Sequence, residues 1–143
     1  MEDARAQMAY GLSVCDILKI SDNEIQWFSG KEDYTEGIHM LQQTYQIPLI
    51  LLSMGKDGSR AYYKDMLVEV PAFLQKNTIE TTGAGDTFGA CCLHHILKYG
   101  LDNLTKQQLK EMLTFANAAA SIITTRKGAL RVMPSLEEIQ RLL

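Results

Sequence analysis

Thr81-Thr82-Gly83-Ala84-Gly85-Asp86-Thr87-Phe88-Gly89-Ala90 is the stretch from which the rest of the chain is read. Three small residues precede an acid, and an apolar helical run follows to Tyr99. Gly83 and Gly85 open backbone conformations closed to larger residues and leave room for a close ligand. A loop of this kind at the start of a helix points N–H groups and the positive dipole end at an anion. Asp86 falls in the first turn, where that dipole favours its ionised form. The stretch predicts a phosphate-stabilising loop with a carboxylate beside it.

Composition bounds the function classes. A chain of 143 residues is one domain's worth. Hydrophobic content of 46% and charged content of 22% suit a globular protein. A net charge of −3 and a pI near 5.6 argue against nucleic acid as a partner, since that needs a basic face. No apolar run reaches the roughly 20 residues of a spanning helix. The segment from Met1 to Tyr10 is charged and lacks the apolar core of a signal peptide. The expectation is a cytoplasmic protein without a membrane partner. Cys15, Cys91 and Cys92 are odd in number and two are adjacent, so they read as reduced thiols rather than a disulfide framework. His94 and His95 follow closely, but consecutive helical residues point apart, which excludes a shared metal ion.

Alternating patterns run along the chain. Glu2 to Leu12 reads as a helix and Cys15 to Ile20 as a buried strand. Ser21 and Glu24 stand at capping-box spacing before a helix to Phe28, and Thr35 to Tyr45 forms another. Leu49-Ile50-Leu51-Leu52 suits a central parallel strand covered on both faces. Ser53 to Gly58 is a turn, followed by a hairpin of Ser59 to Tyr63 and Met66 to Val70 around Lys64-Asp65. Ala84 to Tyr99 is apolar nearly all round and is expected to be largely buried, with Gly100 as its stop. Thr105 and Gln108 cap a long helix that Lys127-Gly128 ends. Ser135 and Glu138 cap a last one, with Leu136, Ile139 and Leu143 facing inward. This order predicts an α/β fold with a largely parallel sheet flanked by helices.

Three chemistries compete for the glycine loop. A P-loop needs Gly-Lys-Ser/Thr, which is absent. A dinucleotide loop needs Gly-x-Gly-x-x-Gly, whereas Gly83, Gly85 and Gly89 are spaced one residue wider at the end and Asp86 would have no task. In phosphoryl transfer the loop N–H groups stabilise charge on the transferred group while Asp86 accepts the proton of an attacking hydroxyl. Only this reading employs both the glycines and the acid.

Thr81 to Phe88 resembles the signature of the ribokinase-like (PfkB) carbohydrate kinases, usually Asp-Thr-x-Gly-Ala-Gly-Asp. Asp16 to Gly30 resembles the segment around the family's Asn-x-x-Glu motif, and Lys19-x-Ser21-x-x-Glu24 is similar to the variant in its fructokinase-like members. Ser53-x-Gly55-x-x-Gly58 is similar to its Thr-x-Gly-x-x-Gly turn. Phe115 to Ala120 and Lys127-Gly128-Ala129 resemble its C-terminal helix and following loop. The resemblance implies a ribokinase-like, Rossmann-type fold and transfer of the ATP γ-phosphoryl group to a sugar hydroxyl with Mg²⁺. It implies Asp86 as catalytic base, with Gly83, Ala84 and Gly85 as the anion hole. Glu24 would organise Mg²⁺ through water, Ser53, Gly55 and Gly58 would form the turn on the ATP phosphates, and Asn117 would border adenine. Simpler roles remain open for several of these. Glu24 is explained equally by its capping box, the 53–58 turn by a strand-to-hairpin connection, and Asn117 by hydrogen bonds within a packed helix.

Two departures from the family pattern stand out. Glu80 occupies a position usually held by Asp, which commonly helps hold a monovalent cation; the extra methylene moves the carboxylate away, so cation dependence is in question. No residue matches the N-terminal sugar-binding and lid region. Residues 1–143 therefore read as the C-terminal ATP-binding and catalytic portion of a carbohydrate kinase, inactive or weakly active alone. Loss of the partner half should expose apolar surface and promote self-association or pairing with that half. A nucleotide-binding or interaction module without catalysis is the alternative.

Overall fold

Local signals place the helix starts in a computed structural model of the chain, which describes residues 2–143. The chain forms two units, one of residues up to Met54 with Ala61–Leu67, the other of Gly55–Arg60 with Val68–Leu143.

The first unit begins with α1 (Glu2–Val14), which runs two residues beyond the expected end. The Cys15 thiol donates to the Leu12 carbonyl at its close, so β1 (Ile17–Ser21) starts later than expected. Ser21 then caps α2 (Asp22–Ser29) with a complete capping box. The Asp33 side chain caps α3 (Tyr34–Tyr45) by accepting from the Thr35 N–H at 2.7 Å. The apolar run forms β2 (Leu49–Ser53), whose first four residues are buried. Leu12, Ile20, Ile25, Ile38, Leu41, Ile50 and Leu52 form its core, with Cys15 and Phe28 packed against them.

β1 and β2 pair in parallel with Ile17 opposite Leu49 and Ser21 opposite Ser53. β3 (Ser59–Tyr63) and β4 (Met66–Val70) are joined at Lys64-Asp65, and the strand order is β1-β2-β3-β4. A two-residue connection can only reverse the chain. The expected hairpin thus adds an antiparallel pair to the parallel β1–β2 pair, and the sheet is mixed.

In the second unit α4 (Ala84–Tyr99) packs on α5 (Lys106–Ile123), and α6 (Leu136–Leu142) packs on α5 as well. Thr105 and Ser135 make the expected capping boxes. α5 ends at Ile123, four residues before the expected stop. Thr124 and Thr125 turn their hydroxyls back onto the Ser121 and Ile122 carbonyls there, competing with further helix. α4 is not largely buried. Thr87, Phe88, Cys92 and Ile96 face inward, whereas Leu93 is 49% and Leu97 87% exposed. One face is covered by α5, and hydrophobicity alone cannot supply a neighbour for the other. On the last helix Ile139 is buried but Leu136 and Leu143 are exposed, so only one of the three expected residues faces inward.

Candidate active site

The glycine loop is held at its entry and at its exit. Before it, the Ile79 and Glu80 N–H groups both donate to the Thr124 carbonyl, at 2.8 and 3.3 Å. Glu80 also accepts from the Gly128 N–H at 2.7 Å through its carboxylate. Gly83 is the N-cap of α4 with φ +80°, a left-handed conformation that a larger residue adopts at a cost. A Cβ there would lie 3.2 Å from Ala129 Cβ and 3.3 Å from Ile123 Cδ1, so the missing side chain also permits close packing of the loop after α5.

The first turn of α4 leaves donors open. The Ala84 N–H is taken by the Thr81 carbonyl at 3.1 Å, and the Thr87 N–H by that of Gly83 at 2.9 Å. Among the described residues the N–H groups of Gly85 and Asp86 find no acceptor, and Gly83 supplies no side-chain cap. Both lie at the positive end of the dipole of a helix of 16 residues. Asp86 is exposed beside them. The following Thr87 is 3% exposed, and its hydroxyl has no partner among the described residues. Sequence reasoning passed over Thr87 and the Asp86 amide, since neither carries a motif signal beyond its neighbours.

Asn117 lies on the buried face of α5 and donates its side-chain N–H groups to the Val70 and Pro71 carbonyls at 3.2 and 3.1 Å. It holds the exit of β4 by satisfying two backbone acceptors there. In the turn that enters β3, Gly55–Asp57 forms one exposed 3-10 turn, and the Gly58 N–H donates to the Gly55 carbonyl at 3.2 Å. Gly58 is buried with φ +98°, and a Cβ on it would meet the Val70 carbonyl oxygen at 2.2 Å. Backbone packing alone requires glycine there.

In the first unit, the parallel register brings Ser21 and Ser53 side by side at the carboxyl ends of β1 and β2. In open α/β sheets this is the edge where ligands bind. Ser21 caps α2, so Glu24 enters at the same edge. Its carboxylate accepts from the Ser21 N–H at 2.8 Å. That bond holds its pKa below the ordinary carboxylate value; burial opposes it, while the Ser21 hydroxyl and Lys19 add to it. Glu24 is thus an ionised, exposed oxygen donor even though it completes the capping box.

Among the described residues no three His, Cys, Asp or Glu side chains cluster to hold a metal. A lone exposed carboxylate such as Glu24 is the kind of group that can hold a hydrated cation together with substrate phosphates. The thiols are poor nucleophiles: burial pushes Cys91 up to about 11 and Cys92 further in the same direction. No described helix is long and apolar enough to cross a membrane.

Comparison with known proteins identifies the family. Residues 1–136 match the pattern of the pfkB family carbohydrate kinases. Fructokinase-1 of Zea mays is 32% identical over 142 residues, covering 99% of this chain and 44% of that protein. Fructokinase of Klebsiella pneumoniae is 33% identical over 141 residues, covering 98% of this chain and 45% of its own length. The chain thus spans less than half the length of these curated relatives. Among solved structures, Vibrio cholerae fructokinase with fructose, ADP and calcium bound superposes with a TM-score of 0.88 at 25% identity, over 99% of this chain and 45% of the other. The Salmonella enterica aminoimidazole riboside kinase has the same fold, with a TM-score of 0.84 at 23% identity over 99% and 46%.

Proposed function

The chain belongs to the pfkB family of carbohydrate kinases, and from that membership we propose that it carries the phosphoryl-transfer half of an ATP-dependent sugar kinase. The single observation that supports this best is the pair of open N–H groups, Gly85 and Asp86, beside the Asp86 carboxylate at the start of α4. The curated relatives named above, both fructokinases, favour fructose as the sugar.

In this reading the sugar hydroxyl gives its proton to Asp86 as its oxygen attacks the γ-phosphorus. The bond from the γ-phosphorus to the bridging oxygen breaks, and ADP leaves with that bonding pair. Charge on the transferred group falls on the open amides of Gly85, in the Gly83-Ala84-Gly85 loop, and of Asp86, which are aimed before the reaction begins. Bound Mg²⁺ would neutralise charge on the phosphates. Glu24 would order it through water, and its depressed pKa keeps it anionic for that task. Ser53, Gly55 and Gly58 serve the phosphates as a turn, and Asn117 borders the base. Glu80 replaces the usual aspartate, so a monovalent cation is not assigned.

A complementary N-terminal half would orient the sugar; alone, the chain self-associates through exposed apolar surface such as Leu93 and Leu97 of α4. Both partners are cytoplasmic. Calorimetry with MgATP, followed by sugar-dependent ADP release by the chain alone and mixed with the N-terminal half of a relative, tests the assignment. Asp86→Asn abolishes turnover and leaves ATP affinity nearly intact; a mutant with normal turnover removes Asp86 from its role. If the chain binds nucleotide but the complemented protein phosphorylates no sugar, it is a nucleotide-binding module instead.

A further inference from the structure

Glu80 has a place in the structure that its carboxylate alone does not predict. Its side chain does not point out at the edge of the glycine loop but accepts from the backbone N–H of Gly128, 48 positions further along. Its own N–H and that of Ile79 share the Thr124 carbonyl. The stretch leading into the glycine loop is therefore bonded three times to the turn that closes α5. Three residues after Glu80, a Cβ on Gly83 would lie 3.2 Å from that of Ala129, the neighbour of Gly128, so the bare glycine lets that residue approach. The same two segments thus touch on both sides of Thr81 and Thr82, closing a ring of contacts around the entry to the loop.

We propose that Glu80 is a positioning residue. Its carboxylate latches the 128–129 turn against Gly83 and so sets the direction in which the Gly85 and Asp86 N–H groups point. The latch rests on the kinase reading for its functional effect, but not for its structural one. A hydrogen bond from a backbone N–H to a carboxylate is charge-assisted and short, which suits a group that must hold a loop in one conformation. The effect of releasing it is angular rather than global: the helices keep their caps and cores, while the amides lose their common aim. Misplacement of about 1 Å is enough to cost on the order of a hundredfold in a reaction governed by positioning.

The test compares Glu80→Ala with Glu80→Gln, whose amide oxygen can still accept from Gly128. Amide resonances of Gly83, Gly85 and Gly128 are followed by NMR in the 143-residue chain. Affinities for a non-hydrolysable MgATP analogue and for MgADP are measured by calorimetry. Glu80→Ala is expected to shift all three resonances and to weaken the analogue about tenfold, an estimate below the full positioning effect. MgADP affinity and the melting temperature should stay near those of the unaltered chain. Glu80→Gln should recover most of both losses. Unmoved Gly83 and Gly85 resonances in Glu80→Ala overturn the latch. So does a Glu80→Gln protein that behaves like Glu80→Ala but is restored by added potassium, which makes Glu80 a cation ligand instead. If the unaltered chain binds neither nucleotide, the kinase reading and the functional role fall together, and the resonances still decide whether the latch exists.

Discussion

Replacing Gly58 by alanine separates what a glycine does for the backbone from what it does for a ligand. The added Cβ would lie 2.2 Å from the Val70 carbonyl oxygen, and 2.8 Å from both the Pro71 carbonyl carbon and its Cα. Ordinary C···O contacts begin near about 3.3 Å, so the chain at Val70 must retreat by roughly 1 Å. It is poorly placed to do so, because Asn117 holds the Val70 and Pro71 carbonyls at 3.2 and 3.1 Å. Forced overpacking of this kind costs about 1–3 kcal/mol. The φ of +98° adds about 1–3 kcal/mol of backbone strain for any residue with a side chain. The sum, about 2–6 kcal/mol, is a large part of the roughly 5–15 kcal/mol that holds a domain folded. Gly55 in the same turn is the control. Its φ is +54°, but a Cβ there meets nothing within 4 Å, so Gly55→Ala costs only the left-handed penalty of about 1–2 kcal/mol. Urea unfolding of the two variants measures the difference, and a gap of 2 kcal/mol corresponds to about 4–8 °C in melting temperature. A Gly58→Ala protein no less stable than Gly55→Ala would refute the steric reasoning. The folded Gly55→Ala protein then serves for nucleotide titration, where weaker MgATP binding is expected.

Asn117→Ala should destabilise the chain by about 1–3 kcal/mol, because the buried Val70 carbonyl and the partly buried bond to Pro71 lose their donor; an unchanged denaturation midpoint would show that water replaces it. Glu24 has a depressed folded-state pKa, so its contribution is complete above the unfolded value of about 4.3 and is lost as pH falls through the lower folded value. The difference in melting temperature between the unaltered chain and Glu24→Gln should be constant at neutral pH and close only in that acidic window; a gap independent of pH would assign the bond to shape rather than charge. Leu93 and Leu97 lie four apart on one face of α4 and are both exposed. Light scattering should show a concentration-dependent mass for the unaltered chain and a smaller one for Leu93→Glu/Leu97→Glu, whereas a monodisperse monomer at all concentrations would count against association through that face.

Much of the candidate site was legible because its parts are local. The caps at Ser21, Thr105 and Ser135 follow from residue types three positions apart, and the start of α4 follows from small residues before an apolar run. The glycine loop and Asp86 lie within four residues, so dihedral preference and the helix dipole define them without further context. Where the reading went astray, a competing contact decided. Lys127-Gly128 looked like the end of α5, but threonine hydroxyls bonding back at Thr124 and Thr125 closed the helix earlier.

By itself, the sequence determined the order of strands and helices, their caps, the hairpin turn and the glycine loop that carries the family resemblance. Each of these depends on neighbours within a turn or two of chain. The tertiary structure alone decided that Gly58 is glycine because a carbonyl passes beside it, that Asn117 is tied to Val70 and Pro71, and that the Glu80 carboxylate meets Gly128. It also decided which face of α4 stays uncovered. The bonds of Asn117 and Glu80 join residues 46 to 48 positions apart. Their partners are chosen by how packed elements come to rest, and no local pattern in the chain encodes that distance.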